Sequence, residues 1–181
     1  MKVAQLTAAG IVTDVMEGNN LNKVFQKYSQ ENKINPKDIS QIKDLVFGTL
    51  RSYGKTKFVI NKLVKRTPTN SLILTLLHIA LFQLISNRSN SYTVVDQAVS
   101  ASNMINKRHT KFINGVLRAF LREKVSILEK AEKIDEAKYS YPIWWINLIK
   151  NEYPISWNNI LDIGNSHPPL IIRVNIKKGS I

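Results

Sequence analysis

Two tetrads of one pattern carry the residues best suited to chemistry: Gly48-Thr49-Leu50-Arg51 and Gly115-Val116-Leu117-Arg118. On a helix, positions i and i+3 share a face, so each arginine stands beside a glycine while the leucine points elsewhere. A guanidinium can fork onto a phosphate with two parallel hydrogen bonds. The glycine alongside leaves room for that phosphate, or for another backbone, to come close. Two structural readings compete: each arginine caps a neighbouring helix, or it pairs with an acid such as Asp44 or Asp96. More cations gather around the second tetrad: Lys107 and Arg108 before it, Lys111 at its approach, and Arg122 one turn beyond. Free N–H groups at the start of a helix there would add to the attraction for anions. Arg51, Lys107, Arg108, Lys111, Arg118 and Arg122 are therefore the candidate phosphate ligands.

Other chemistry is hard to build from this chain. It has no cysteine, which removes disulfides, zinc–thiolate sites and a thiol nucleophile. There is no Gly-rich phosphate loop, no H-E-x-x-H and no serine elbow. His78 falls in an apolar helix, His109 at a basic helix start and His167 before two prolines, and none has a partner at metal-ligand spacing. No catalytic, cofactor or metal residue is expected here.

Charge strengthens the anion reading. The net charge is +13, and it is unevenly placed. From Leu45 to Arg122 there are twelve Lys or Arg residues against one acid, Asp96, so this span carries +11 of the total. Such a concentration is the footprint of a polyanion binder, with nucleic acid the leading partner. A membrane partner is not expected: no helix joins a large exposed apolar face to the charge, and the run Leu72–Ile85 is too short and too interrupted to span a bilayer. Met1 leads into an amphipathic pattern rather than a signal peptide, which with the missing cysteines points to the cytoplasm.

The elements that must position these residues are helices. Apolar periodicity marks seven in the first 125 residues: 2–17, 21–32, 36–53, 55–65, 71–86, 91–105 and one through 111–122. Asn20, Asn35 and Asn70 can cap the second, third and fifth; Gly18 marks a stop and Gly54 a break between the third and fourth. The fifth is apolar nearly all round, as a central helix should be; His78 and Gln83 on it read as satisfied core polar groups. In the last helix Phe112, Ile113, Val116, Leu117, Phe120 and Leu121 share one half of the circumference, with Lys111, Gly115, Arg118 and Arg122 as a stripe opposite. A glycine mid-helix costs about 1 kcal/mol against alanine, so Gly115 needs a reason. Asn114 is expected to tie this helix to a neighbouring loop. Tyr92 is expected in the core, with stacking on an unpaired base as the alternative.

Past Glu123 the composition changes. Residues 126–138 read as a linker between a domain at 1–125 and a segment at 139–181. All three tryptophans, Trp144, Trp145 and Trp157, lie in that segment. They are expected to pack within it or against a further domain. Short helices fit at 143–151 and 156–164, each just after a proline, and Leu170–Asn175 is the only strand-like run. A lone strand is not stable, so it expects a sheet from elsewhere.

Phe47-Gly48-Thr49-Leu50-Arg51, Ile60-Asn61-Lys62-Leu63, Leu77 to Leu84 and Phe112-Ile113-Asn114-Gly115-Val116-Leu117-Arg118 resemble the NusB-like N-terminal domain of the RsmB (Sun, Fmu) family of bacterial ribosomal RNA cytosine-5 methyltransferases. Tyr139 to Trp144 is similar to that family's Y-S-H-P-x-W segment, with Tyr141 in place of the histidine. Pro168 to Asn175 looks like its P-P-x-x-x-R-x-N strand. Asn90-Ser91-Tyr92-Thr93-Val94 departs from the family's usual P-H-A-A-V. The resemblance implies an all-α NusB-like bundle of about seven helices with a small C-terminal extension. It also implies docking on small-subunit ribosomal RNA, for which the six basic residues above are this sequence's own candidates. Family methyl transfer uses S-adenosylmethionine and two cysteines in a catalytic domain, neither of which this chain supplies, so it is read as the N-terminal part of a longer enzyme or a truncated relative. The alternative is a stand-alone NusB-type antitermination factor, against which the tail argues.

Overall fold

The computed structural model describes residues 2–31, 36–87, 89–166, 171 and 173. Its helices are α1 (Lys2–Met16), α2 (Leu21–Glu31), α3 (Pro36–Arg51), α4 (Tyr53–Leu63), α5 (Ser71–Ser86), α6 (Ser91–Asn106), α7 (Thr110–Ala131), α8 (Asp135–Tyr139), α9 (Ile143–Glu152) and α10 (Trp157–Asn165), with a 3-10 turn at Lys107–His109 before α7. No strand occurs among the described residues. The all-α expectation holds.

Helix α5 is the axle. Ile73, Leu76, Leu77, Ile79, Ala80, Leu81 and Leu84 point in every direction from it and all are buried, so neighbours must cover all of its sides. On one side, α4, α6 and α7 close a cluster around Leu77, Leu81, Ile113, Leu117 and Phe120. On the other, α1, α2 and α3 close a second around Ile11, Val12, Ile42, Val46, Leu76 and Ile79. Helix α1 fits because its buried positions are small: Ala4, Ala8 and Ala9 lie against α5 and α3. Val3, apolar like its neighbours on α1, is nevertheless 58% exposed.

The helix starts follow the asparagines. Asn20 Oδ1 accepts from the N–H groups of Asn22 and Lys23, and Asn70 Oδ1 from that of Ile73. Helix α6 is capped by Asn90, which accepts from Tyr92 and Thr93. Gly18 adopts φ +97° and ends α1. The cap read at Asn35 lies outside the described residues. The break read at Gly54 exists but falls two residues earlier, at Ser52: α3 ends at Arg51 and α4 already begins at Tyr53. The glycine is needed because α8 presses on it; a Cβ there would run into the Glu136 carbonyl and the Ser140 backbone.

Buried polar groups meet one another. Thr56 Oγ1 and His78 Nδ1 are 2.7 Å apart, and the His78 ring stacks on Tyr53 at 4.6 Å between centroids. Gln5 donates to Gln83 Oε1 across 2.6 Å. His78 and Gln83 are thus partnered core groups, as read. Burial, helped by the positive charge of Lys57, pushes the His78 pKa down to about 4.

Residues 126–138, read as a linker, are mostly helical: α7 runs on to Ala131 and α8 begins at Asp135 after a three-residue turn. Ile127, Ala131 and Ala137 are buried, and α8 packs on α4 and α7. Mixed charge hid this, because three of the four acids have a use within the fold. Glu132 meets Lys55 Nζ at 2.7 Å, Asp135 meets Lys150 Nζ at 2.6 Å, and Glu136 accepts from the Ile143 N–H. A small third cluster joins α8, α9 and α10 through Tyr139, Ile146, Ile149 and Leu161, with Trp145 and Trp157 against it. Trp144 is 65% exposed and meets Trp145, edge to face at 5.6 Å between ring centroids. Of the strand-like run 170–175 only Ile171 and Arg173 are described, and neither is in a strand.

Candidate nucleic-acid interface

Helix α7 buries Ile113, Val116, Leu117 and Phe120 and turns Lys111, Gly115, Arg118 and Arg122 to solvent. The stripe read from sequence is therefore a real ridge, about 16 Å from Lys111 to Arg122 at the helical rise of about 1.5 Å per residue. Lys107 and Arg108 extend it through the exposed 3-10 turn. These five candidates share one continuous surface. Arg51 does not join them by any element packing: it ends α3, which packs on α1, α5 and α4. Its charge sits in the last turn of α3, where a cation offsets the helix dipole.

The two glycines of the tetrads have opposite surroundings. A Cβ at Gly48 would strike the end of the Phe82 ring. A Cβ at Gly115 would meet nothing within 4 Å. Packing explains the first glycine and cannot explain the second.

Two N–H groups around the start of α7 are already engaged. The Arg108 N–H is taken by Asn106 Oδ1 at 3.0 Å, and the Thr110 N–H by the Lys107 carbonyl.

Among the described residues, Lys107, Arg108, Lys111 and Arg118 form no ion pair, whereas Arg122 leans on its neighbour Glu123 at 3.4 Å. Arg118 is held by another device: its Nε donates to Asn114 Oδ1, one turn earlier, at 3.1 Å. Asn114 thus orients the arginine instead of tying the helix to a loop, and neither Nη group has a partner among the described residues. Asp96 makes no ion pair with Arg118. Other cations are committed elsewhere. Lys124 donates to the Leu84 carbonyl and Asn87 Oδ1, both at 2.5 Å, closing the end of α5, and Lys55 pairs with Glu132.

Beside the ridge, α6 and α7 leave a groove of about 490 Å³ lined by Ser91, Tyr92, Val95, Asp96, Val99, Asn114, Arg118 and Leu121. Tyr92, expected in the core, is 77% exposed on its wall. The signal for this was present. The buried stripe of α6 is Val94, Val95, Ala98, Ala101 and Ser102, and at about 100° per residue Tyr92 falls about 120° from its centre, beside Asp96 and Val99. No cluster of metal-ligating side chains occurs among the described residues, and no helix there is long and apolar enough to cross a membrane.

A bundle wound around one buried helix, with a basic helix turned outward on its flank, defines an all-helical domain of NusB type. The chain belongs to the NusB family, whose model matches residues 2–122. Residues 141–181 match the ferredoxin-like domain of RsmF/RsmB-type methyltransferases. The chain is 35% identical over 168 residues to a "Probable ribosomal RNA small subunit methyltransferase B" of Coxiella burnetii, covering 87% of this chain and 38% of that protein. It is 33% identical over 172 residues to the "Ribosomal RNA small subunit methyltransferase B" of Yersinia pseudotuberculosis, covering 93% and 39%. The chain spans about two-fifths of the length of the curated relatives it matches. The resemblance drawn from the F-I-N-G-V-L-R stretch and from the tail therefore holds in both parts.

Proposed function

We propose that this chain is the RNA-docking part of a small-subunit ribosomal RNA cytosine-5 methyltransferase. The observation that carries the reading is the ridge of Lys107, Arg108, Lys111 and Arg118, exposed and without ion pairs among the described residues. It lies on a NusB-family bundle that runs directly into a segment of RsmF/RsmB type. Exposed cations left unpaired in one row repel each other unless an anion meets them, and a polyphosphate backbone offers a matching row of charges. Arg118 is pre-set for this, since its Nε is engaged and its terminal N–H groups remain to fork onto a phosphate. Arg122 contributes less, because part of its charge is met by Glu123.

In this reading the residues described here dock and do not transfer methyl groups. S-adenosylmethionine and the catalytic side chains belong to the portion of the relatives beyond the region of similarity, and the work is done in the cytoplasm. The match at 141–181 favours this over a stand-alone antitermination factor.

The test is the salt dependence of binding to a small-subunit rRNA fragment. Log K is expected to fall linearly with log salt, by about 0.7–0.9 per phosphate engaged. Four engaged cations give a slope near −3, and Arg118→Gln should make it shallower by about one phosphate. A slope near zero would overturn the proposal.

A further inference from the structure

We infer that the α6–α7 groove is the seat of one unpaired nucleotide, its base stacked on Tyr92 and its phosphate held by Arg118. The inference rests on the RNA-docking reading and adds a site and a ligand class to it. Three features of the groove go beyond what a phosphate track needs.

The first is Tyr92. A tyrosine 77% exposed on the wall of a groove leaves its ring face in water, although aromatic rings gain most when covered. Paired RNA cannot cover it. An A-form duplex presents phosphates, 2′-hydroxyls and shallow base edges, with its base faces already stacked. A bulged or looped base has a free face, and base–aromatic stacking is the usual way proteins hold one.

The second is the spacing of unlike chemistry. Arg118 and Asn114 stand on the α7 wall, Tyr92 and Asp96 on the α6 wall, with Val95, Val99 and Leu121 between them. The cavity therefore has a cationic side, an aromatic side and an apolar lining. A nucleotide has the same division: an anionic phosphate, a flat base and a sugar between.

The third is Asp96, the one acid in the basic span. It forms no ion pair with Arg118 among the described residues, so it is not there to neutralise it. A carboxylate repels a second phosphate and accepts hydrogen bonds from a base amino group. It therefore fixes the polarity: the phosphate goes to the Arg118 side and the base to the Tyr92–Asp96 side.

The experiment uses the full chain and two RNA hairpins of one sequence, one fully paired and one with a single bulged cytosine. Affinity and salt slope are measured for the native protein, Tyr92→Ala, Tyr92→Phe and Arg118→Gln, with melting temperatures as a control on folding. The bulged hairpin is expected to bind about tenfold more tightly, from the stacking of one base. Tyr92→Ala should erase that preference without changing the salt slope, and Tyr92→Phe should keep it. Arg118→Gln should weaken both hairpins. If both hairpins bind equally and Tyr92→Ala changes nothing, while Arg118→Gln still lowers the slope, the nucleotide seat is wrong and RNA docking stands. If neither hairpin binds with any salt dependence, both fall.

Discussion

The tetrads Gly48-Thr49-Leu50-Arg51 and Gly115-Val116-Leu117-Arg118 look alike in sequence and do opposite things in space. In α3 the glycine lies under the Phe82 ring of α5, and its removal would disturb the core. In α7 the glycine faces open solvent between Lys111 and Arg118. The first tetrad belongs to packing and the second to a surface that packing does not explain. A glycine kept where alanine would fit costs stability, and such a cost points to a requirement outside the folded domain.

The comparison can be broken by variants and conditions that touch one side only. The largest effect is expected on the packed side, at low pH. His78 lies one turn before Phe82 on α5, and its pKa is lowered to about 4 in the fold from about 6.5 in the unfolded chain. The unfolded state then takes up a proton first as pH falls. Stability from this group is complete above about pH 6.5, declines below it and reaches its full loss near pH 4, on the order of 3 kcal/mol. Urea unfolding between pH 7 and 4 reads this directly, and His78→Phe should flatten that part of the profile. Gly48→Ala comes next: the Phe82 ring must leave its place, at a cost of about 1–3 kcal/mol. Gly115→Ala should have the opposite sign and stabilise by up to about 1 kcal/mol in the same melts, while weakening RNA binding if phosphate approaches the backbone there. Should both alanines destabilise alike, the two tetrads are not different. The smallest effect is expected at Arg51. Arg51→Gln should leave the salt slope of RNA binding nearly unchanged, whereas Arg118→Gln makes it shallower.

Much of this difference was hidden in the sequence for a physical reason. Periodicity reports which face is buried, and so α5, the buried face of α7 and the caps at Asn20 and Asn70 were legible from residue types alone. Periodicity does not report what lies across from a glycine. Gly48 needed Phe82, thirty-four residues away, and Gly54 needed Glu136 and Ser140. The end of α7 was misjudged because Glu132, Asp135 and Glu136 look like linker residues until Lys55, Lys150 and the Ile143 N–H are brought to them. In the candidate interface, the ridge could be read from helical angles. The groove could not, because it is built by side chains of two helices, α6 and α7, together. Helical angles also did not show that Arg122 meets its neighbour Glu123 at 3.4 Å.

The most direct test of the account sets two charge reversals of equal size side by side. Lys111→Glu with Arg118→Glu reverses the ridge; Lys65→Glu with Arg66→Glu reverses two exposed cations in the connection between α4 and α5. Both pairs change the net charge equally, so a bulk electrostatic effect on RNA affinity must be the same for each. The account predicts near-complete loss of binding to small-subunit rRNA for the ridge pair at moderate salt, modest weakening for the other, and unchanged melting for both. Equal weakening by the two pairs would contradict it, since binding would then follow total charge and not the surface built by α7.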